Sequence, residues 1–299
     1  MSSSESTPTV IFTFIRHGES TDNLKSAWAG WKDSSLSNHG MNQAKALGKA
    51  FAASNSHFLA IHASPLKRTF LTAQAVHDAQ PEPQPPLTTS LLLREQHFGV
   101  AEGQPWIMEM QPGLSLEDHV ARKLYPVLPS RAHKFPEGES LDDLAARANK
   151  AVDDLLLPYV WSAAREGSQG IHVAIVSHGL CISELLPALL VRDQSGIHPG
   201  HRYRGLLNTA WTRVTVKGAQ DGELMVFQDD RPPPLEIKVT DFNRHEHLDS
   251  VARQKGGIGS AEYDPKQQSI RAFFGGGTTV EEGRAASNAY DESDINTGE

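Results

Sequence analysis

Three short apolar runs, at 10–15 (VIFTFI), 58–63 (FLAIHA) and 171–177 (IHVAIVS), stand out along an otherwise polar chain. They are rich in β-branched residues and do not alternate with polar ones, the pattern of strands buried on both faces of a parallel sheet. Between and after them, the segments 40–54, 66–79, 139–157 and 179–191 carry apolar residues at helical spacing. Ala44, Leu47, Gly48 and Phe51 form one stripe, and Leu141, Leu144, Ala145 and Ala148 form another. Alternating strands and helices predict an α/β domain in three layers, an αβα sandwich. A strand pair at 209–216 (TAWTRVTV) and 223–228 (ELMVFQ), followed by a last short strand at 235–239, extends the sheet.

Two stretches break this rhythm. Residues 80–86 (QPEPQPP) are too rich in proline for a helix or central strand, and 103–135 mixes Pro, Gly and aromatics in the manner of a cap or insertion over a site. The segment 1–9 reads as a flexible N-terminus and 10–248 as one catalytic domain. From Asp249 to Glu299 there is no Leu, there are eight Gly, and Ile, Val and Phe together number seven. Such a stretch buries too little apolar surface to offset its ordering entropy, so it is expected to be a mostly disordered acidic tail.

With 36 acidic against 28 basic residues in 299, the net charge is −8. That argues against direct nucleic-acid binding and against an anionic membrane, and it requires any phosphate site to be local. A single cysteine, Cys181, excludes an intrachain disulfide framework and a Cys-rich zinc site and fits a reducing compartment. The polar start and the six-residue apolar run after it suit neither a signal segment nor a span, so a cytoplasmic location is expected.

Candidate chemistry gathers where the apolar runs end. VIFTFI leads into Arg16-His17-Gly18, and IHVAIVS leads into His178-Gly179. Ligands of open α/β sheets bind beyond the carboxyl ends of the strands, which brings both imidazoles to one edge. FLAIHA leads into Ser64-Pro65-Leu66-Lys67-Arg68, with Pro65 suited to a first helical turn and Arg68 one turn in. Two guanidiniums, two imidazoles and free helix amides make a pocket for a phosphate dianion.

The strings FIRHGESTDN (14–23), SPLKRTFLTAQ (64–74), LREQHFGVAEG (93–103), FPEGES (135–140) and VSHG (176–179) together resemble the histidine phosphatase superfamily, or phosphoglycerate mutase-like family, over roughly residues 10 to 230. The resemblance implies a mostly parallel but mixed central sheet and a reaction through a phosphohistidine, with no cofactor and no metal. It makes His17 the nucleophile, Arg16, Asn23 and Arg68 phosphate ligands, and His178 the second histidine. The Gly179 amide also points at the phosphate, and Glu95 is the proton donor. Such a donor is protonated when it serves the leaving alkoxide and ionised when it activates water. The implied activity is a metal-independent phosphomonoesterase acting on a phosphorylated small molecule or phosphopeptide. A mutase is the runner-up, disfavoured because Asp22 stands where glycolytic mutases usually carry Trp. A non-catalytic interaction protein on the same fold is the third reading.

Other readings stay open at single positions. Glu102 competes with Glu95 for the role of acid, and His97 reads as substrate-side or structural. Cys181 reads as a core residue, since no Arg follows it at the spacing of cysteine phosphatases. His245 and His247 read as solvated, and the basic stretch at His201, Arg202 and Arg204 as a contributor to specificity along with 103–135. In the tail, Gln267, Ile270, Phe273 and Phe274 resemble the peptide box recognised by the DNA sliding clamp, a partner that would put some of the protein in the nucleus. The alternative is that the two phenylalanines fold back on the catalytic domain.

Overall fold

A computed structural model describes residues 8–196, 203–218, 233–264 and 266. Its centre is a six-stranded sheet in the order β3-β2-β6-β1-β7-β8. The strands are β1 (Thr9–Arg16), β2 (Ala60–Ala63), β3 (Leu87–Thr89), β6 (Ile171–Ser177), β7 (Trp211–Gly218) and β8 (Leu235–Arg244). The pairings β2–β3, β2–β6 and β1–β6 are parallel, whereas β7 runs antiparallel to β1 and β8 antiparallel to β7. The sheet is therefore mixed, as the resemblance implied. A separate pair, β4 (Trp106–Ile107) and β5 (Tyr125–Pro126), lies in the 103–135 segment, with the helix α3 (Leu116–Ala121) between them in the chain.

Both faces of the sheet are covered, which is why β6 has no exposed position and no polar alternation. Phe12, Phe14, Val173 and Ile175 share one core with α4 (Leu141–Ala151), α5 (Leu157–Glu166) and α6 (Gly179–Leu190). Ile15, Ile61, Ala174 and Val176 share a second core with α1 (Asn38–Ala53) and α2 (Lys67–His77). The three layers follow from that two-sided burial. Among the described residues no helix is long and apolar enough to cross a membrane.

Several expected boundaries shift. The helix expected over 139–157 starts on a capping box of Ser140 and Asp143, passes through a wide turn at Val152–Leu156, and continues as α5 to Gly167. Pro158, at the start of α5, cannot donate the ordinary backbone hydrogen bond, and the wide turn absorbs that loss. Helix α2 begins at Lys67, so Pro65 precedes it and Arg68 is its second residue. The expected strand 223–228 lies outside the described residues, and β7 pairs instead with β8, which runs to Arg244 rather than stopping at 239.

The larger correction concerns the expected tail. Residues 249–263 belong to the compact unit that ends at Tyr263. Asn38 donates its amide to the Ala261 carbonyl at 2.9 Å and its side-chain Nδ2 to the Ile258 carbonyl at 2.9 Å, and the Tyr263 amide donates to Leu36 at 2.9 Å. Counting apolar residues misses this stretch because backbone hydrogen bonds and an ion pair hold it. The second unit, from Asp264, is described only at Asp264 and Lys266.

Candidate functional site

Strands β1 and β6 lie side by side with Arg16 opposite Ser177, so the next residues, His17 and His178, leave the sheet together. The His17 amide donates to the Ser177 carbonyl at 3.0 Å, carrying the ladder one residue beyond β1. On the other flank of β6, Ala63 lies opposite Val176, and β2 delivers Ser64 and then Arg68 to the same edge. Gly18 follows the first histidine because nothing larger fits. A Cβ there would sit 2.5 Å from the Gly40 carbonyl oxygen at the start of α1.

The Nδ1 atom of His17 lies 2.6 Å from the Gly18 carbonyl oxygen. A carbonyl only accepts, so the ring proton sits on Nδ1 and Nε2 keeps its lone pair. Burial first, and then the Arg68 and Arg16 guanidiniums, hold this imidazole well below its ordinary pKa, leaving it neutral at pH 7. The His178 ring packs edge-on against it, centroids 5.0 Å apart. His178 Nε2 lies 2.9 Å from Ser64 Oγ and 3.1 Å from Thr69 Oγ1. A hydroxyl donating to Nε2 leaves the proton on Nδ1, a buried atom that has no partner among the described residues. Burial, then the charge of Arg68, also keeps His178 neutral.

Arg16 gives its Nη1 proton to the Leu206 carbonyl at 2.5 Å, while its Nε is buried without a partner among the described residues. Arg68, 1% exposed, is fixed by bonds from Nη2 to the Gly30 carbonyl at 2.7 Å and from Nη1 to the Lys32 carbonyl at 3.3 Å. Among the described residues no carboxylate bonds either guanidinium. Buried donors in this condition are what the oxygens of a phosphate would satisfy.

Glu95 lies in the loop after Leu93, and its carboxylate caps the first turn of α6. Its Oε2 accepts from the Leu180 amide at 3.1 Å, and its Oε1 accepts from the Cys181 and Gln96 amides at 3.0 Å each. Three N–H donors fix the position of this carboxyl group. Gly179 stands between the two kinds of group: a Cβ on it would be 3.7 Å from Arg16 Nε and 4.0 Å from Glu95 Oε2. Its own amide has no acceptor among the described residues, consistent with a free donor at a helix start.

His17, Arg16, Arg68, Asn23 and Glu95 all line one cavity of about 340 Å³. His178 lies behind His17. Asn23 accepts the Ser20 amide on Oδ1 at 3.0 Å and faces Asn208 Nδ2 at 3.3 Å. The remaining walls are apolar, and Trp106, Met108 and Val127 come from the 103–135 segment. That segment is seated on an aromatic cluster in which Trp28 meets Phe98 at 4.6 Å and Phe135 at 5.5 Å between ring centroids.

The rivals are placed elsewhere. Glu102 does not line the cavity; its carboxylate accepts from the Trp31, Lys32 and Phe98 amides and shapes the loop that holds Arg68. His97 stacks on Trp31 at 4.3 Å. Cys181 is fully buried, and burial pushes its thiol up to about 12. His245 is exposed, but His247 departs from the solvated reading, half-buried with Nε2 2.9 Å from Thr209 Oγ1. Among the described residues no three metal-ligating side chains converge. His201 and Arg202 lie outside the described residues, as do Gln267, Ile270, Phe273 and Phe274.

Some functional residues escape a reading of the sequence. Ser64 and Thr69, which hold His178, stand inside the string already singled out for Arg68, so a signal existed. Arg147 had none beyond a polar helix position. It pairs with Glu139 at 2.7 Å and donates to the carbonyls of Leu92 at 2.9 Å, Arg94 at 2.7 Å and Glu95 at 2.9 Å, fixing the turn that carries Glu95.

Comparisons with known proteins agree with this geometry. The model of a family described as "Histidine phosphatase superfamily (branch 1)" matches residues 12–229. A 2,3-bisphosphoglycerate-dependent phosphoglycerate mutase of Bradyrhizobium is 30% identical over 62% of this chain and 84% of its own. A protein of Schizosaccharomyces pombe named as a probable phosphatase is 28% identical over 87% of this chain and 78% of its own. Among solved structures, mycobacterial glucosyl-3-phosphoglycerate phosphatase superposes with a TM-score of 0.54 at 22% identity, covering 79% of this chain and 99% of that one. At that identity the likeness is one of fold.

Proposed function

The chain belongs to the histidine phosphatase superfamily, and from that membership we propose that it is a metal-independent phosphomonoesterase working through a phosphohistidine on His17. The observation that carries the reading is the free Nε2 of a neutral His17 beside buried donors, Arg16 Nε and His178 Nδ1, that have no partner among the described residues.

In the first step His17 Nε2 attacks phosphorus and the bond to the leaving oxygen breaks. Glu95, protonated at that stage, gives its proton to the alkoxide. The Nδ1–H bond to the Gly18 carbonyl steadies the ring as it gains charge. Arg16, Arg68 and His178 offset charge on the equatorial oxygens as the group flattens. In the second step water gives its proton to the Glu95 carboxylate and attacks phosphorus. The P–N bond breaks, and inorganic phosphate leaves a neutral His17. The sum is ester plus water to alcohol plus phosphate.

A mutase begins with the same transfer, and the 30% identity to the Bradyrhizobium mutase favours it as the second reading. Two features support hydrolysis instead. The fungal protein named as a probable phosphatase matches over the larger share of this chain, 87% against 62%. Asp22, in the place usually held by Trp in glycolytic mutases, is largely buried and pairs with Lys25 at 3.4 Å. The deciding experiment supplies 3-phosphoglycerate with catalytic 2,3-bisphosphoglycerate and follows both inorganic phosphate and 2-phosphoglycerate. Phosphate release from a panel of monoesters without isomerisation supports the phosphatase, and isomerisation faster than phosphate release overturns it.

A further inference from the structure

The cavity over His17 has two chemically different ends. Arg16, His17, Arg68, Glu95 and Asn23 form the polar end, and Trp28, Phe98, Trp106, Met108, Val127 and Leu180 form most of the other. Among the described residues, no lysine or arginine other than Arg16 and Arg68 lines it. Both of those belong to the phosphate end, so the rest of the wall, among the described residues, offers no counter-charge to a second anionic group.

The apolar end is also exposed. Trp106 is 36% exposed, Val127 43% and Met108 68%. Three large apolar side chains meeting at one rim leave a patch in water that folding alone would have buried, and such a patch marks a surface covered by a ligand. They are held there by backbone. The Trp106 amide donates to the Ser26 carbonyl at 3.0 Å and the Val127 amide to the Ile107 carbonyl at 2.9 Å, in the β4–β5 pair. Beneath them Tyr125 and Phe135 are buried and meet at 5.8 Å between centroids.

We propose that the alcohol released by this enzyme is apolar, an aryl-alkyl or extended alkyl group, and not a carboxylate-bearing or polyhydroxylated one. The inference rests on the phosphatase reading and deepens it. A phosphate seated on Arg16, Arg68 and His17 directs its ester oxygen toward Glu95 and the group beyond it onto the apolar wall. A glycerate carboxylate there would lose hydration against Trp, Met and Val with no cation in return, which is costly. An apolar group in the same place is stabilised by every part of its surface that it removes from water.

The test compares alkyl esters of similar leaving-group chemistry: 2-phenylethyl phosphate and hexyl phosphate against glycerol 3-phosphate and 3-phosphoglycerate, using the full-length protein. The apolar esters are expected to exceed the polar ones in kcat/KM by about tenfold or more, mostly through KM. In a Trp106→Ala, Met108→Ala double variant that ratio should fall at least about fivefold. In Met108→Lys it should shift toward 3-phosphoglycerate. If 3-phosphoglycerate or glycerol 3-phosphate is hydrolysed as well as the apolar esters, this inference is overturned while the phosphatase reading stands. If none of the four is hydrolysed, both are overturned.

Discussion

Arg253 clasps Glu19, two residues beyond His17, with both ends of its guanidinium. Nη1 reaches Oε1 at 3.0 Å and Nη2 bonds Oε2. The same carboxylate accepts the Ser37 hydroxyl at 2.7 Å, and the Ser37 amide donates to the Glu19 carbonyl at 2.9 Å. Burial alone would raise the Glu19 carboxyl, but the Arg253 and Ser37 hydrogen bonds hold it below its ordinary value. A segment that lies beyond the region matched by the family thus steadies the loop that follows His17. Arg253→Ala should lower kcat/KM about tenfold, because small displacements of a nucleophile are expensive. Arg253→Lys should recover part of it. Steady-state kinetics on the two variants check this, and unchanged rates in Arg253→Ala would show that the clasp does nothing for catalysis.

Arg147 should matter to stability and to the acid together. It is a largely buried partner of Glu139 and the collector of three carbonyls around Glu95. Arg147→Met leaves a partly buried Glu139 without its counter-charge and three carbonyls without their donor, a loss of about 2 kcal/mol. Urea unfolding should show that loss.

Part of the pH dependence of stability follows from a histidine away from the site. Burial, and then the Arg213 guanidinium, push His172 down to about 3, against an ordinary value of 6.5. Above pH 6.5 both states hold it neutral and nothing is lost. As pH falls from 6.5 toward 3 the unfolded chain takes up a proton that the folded one refuses, so stability declines. Between pH 7.5 and pH 5 the urea midpoint should drop. His172→Gln, which keeps a partner for the Thr13 hydroxyl at the same place, should remove about 2 kcal/mol of that decline. An identical decline in the variant would assign it to other groups.

Positive charge at the phosphate end is supplied by Arg16 and Arg68, so activity should survive prolonged chelation. Phosphate release measured before and after treatment checks this. Loss in chelator, restored by a divalent cation, would contradict the mechanism.

What could be read in advance follows from where the physical signal is local. His17 and His178 were legible because β1 and β6 are uninterrupted apolar runs that each end in His-Gly, and their adjacency in register follows from parallel pairing. Strand β8 was legible only at its apolar start, since beyond Val239 it is polar and owes its pairing to β7 rather than to burial. The segment 249–263 was misread because its order comes from Arg253 and backbone donors, to which an apolar count is blind. Arg147 and Trp28 act through residues distant in sequence, and nothing near them announces it.

The central claim is that phosphoryl transfer passes through His17, and rapid quench with ³²P-labelled 2-phenylethyl phosphate tests it most directly. Acid-labile, alkali-stable label should appear on the intact protein within the first turnover and be absent from His17→Ala. Equal labelling of both proteins, or turnover by His17→Ala at the rate of the unaltered enzyme, would contradict the account.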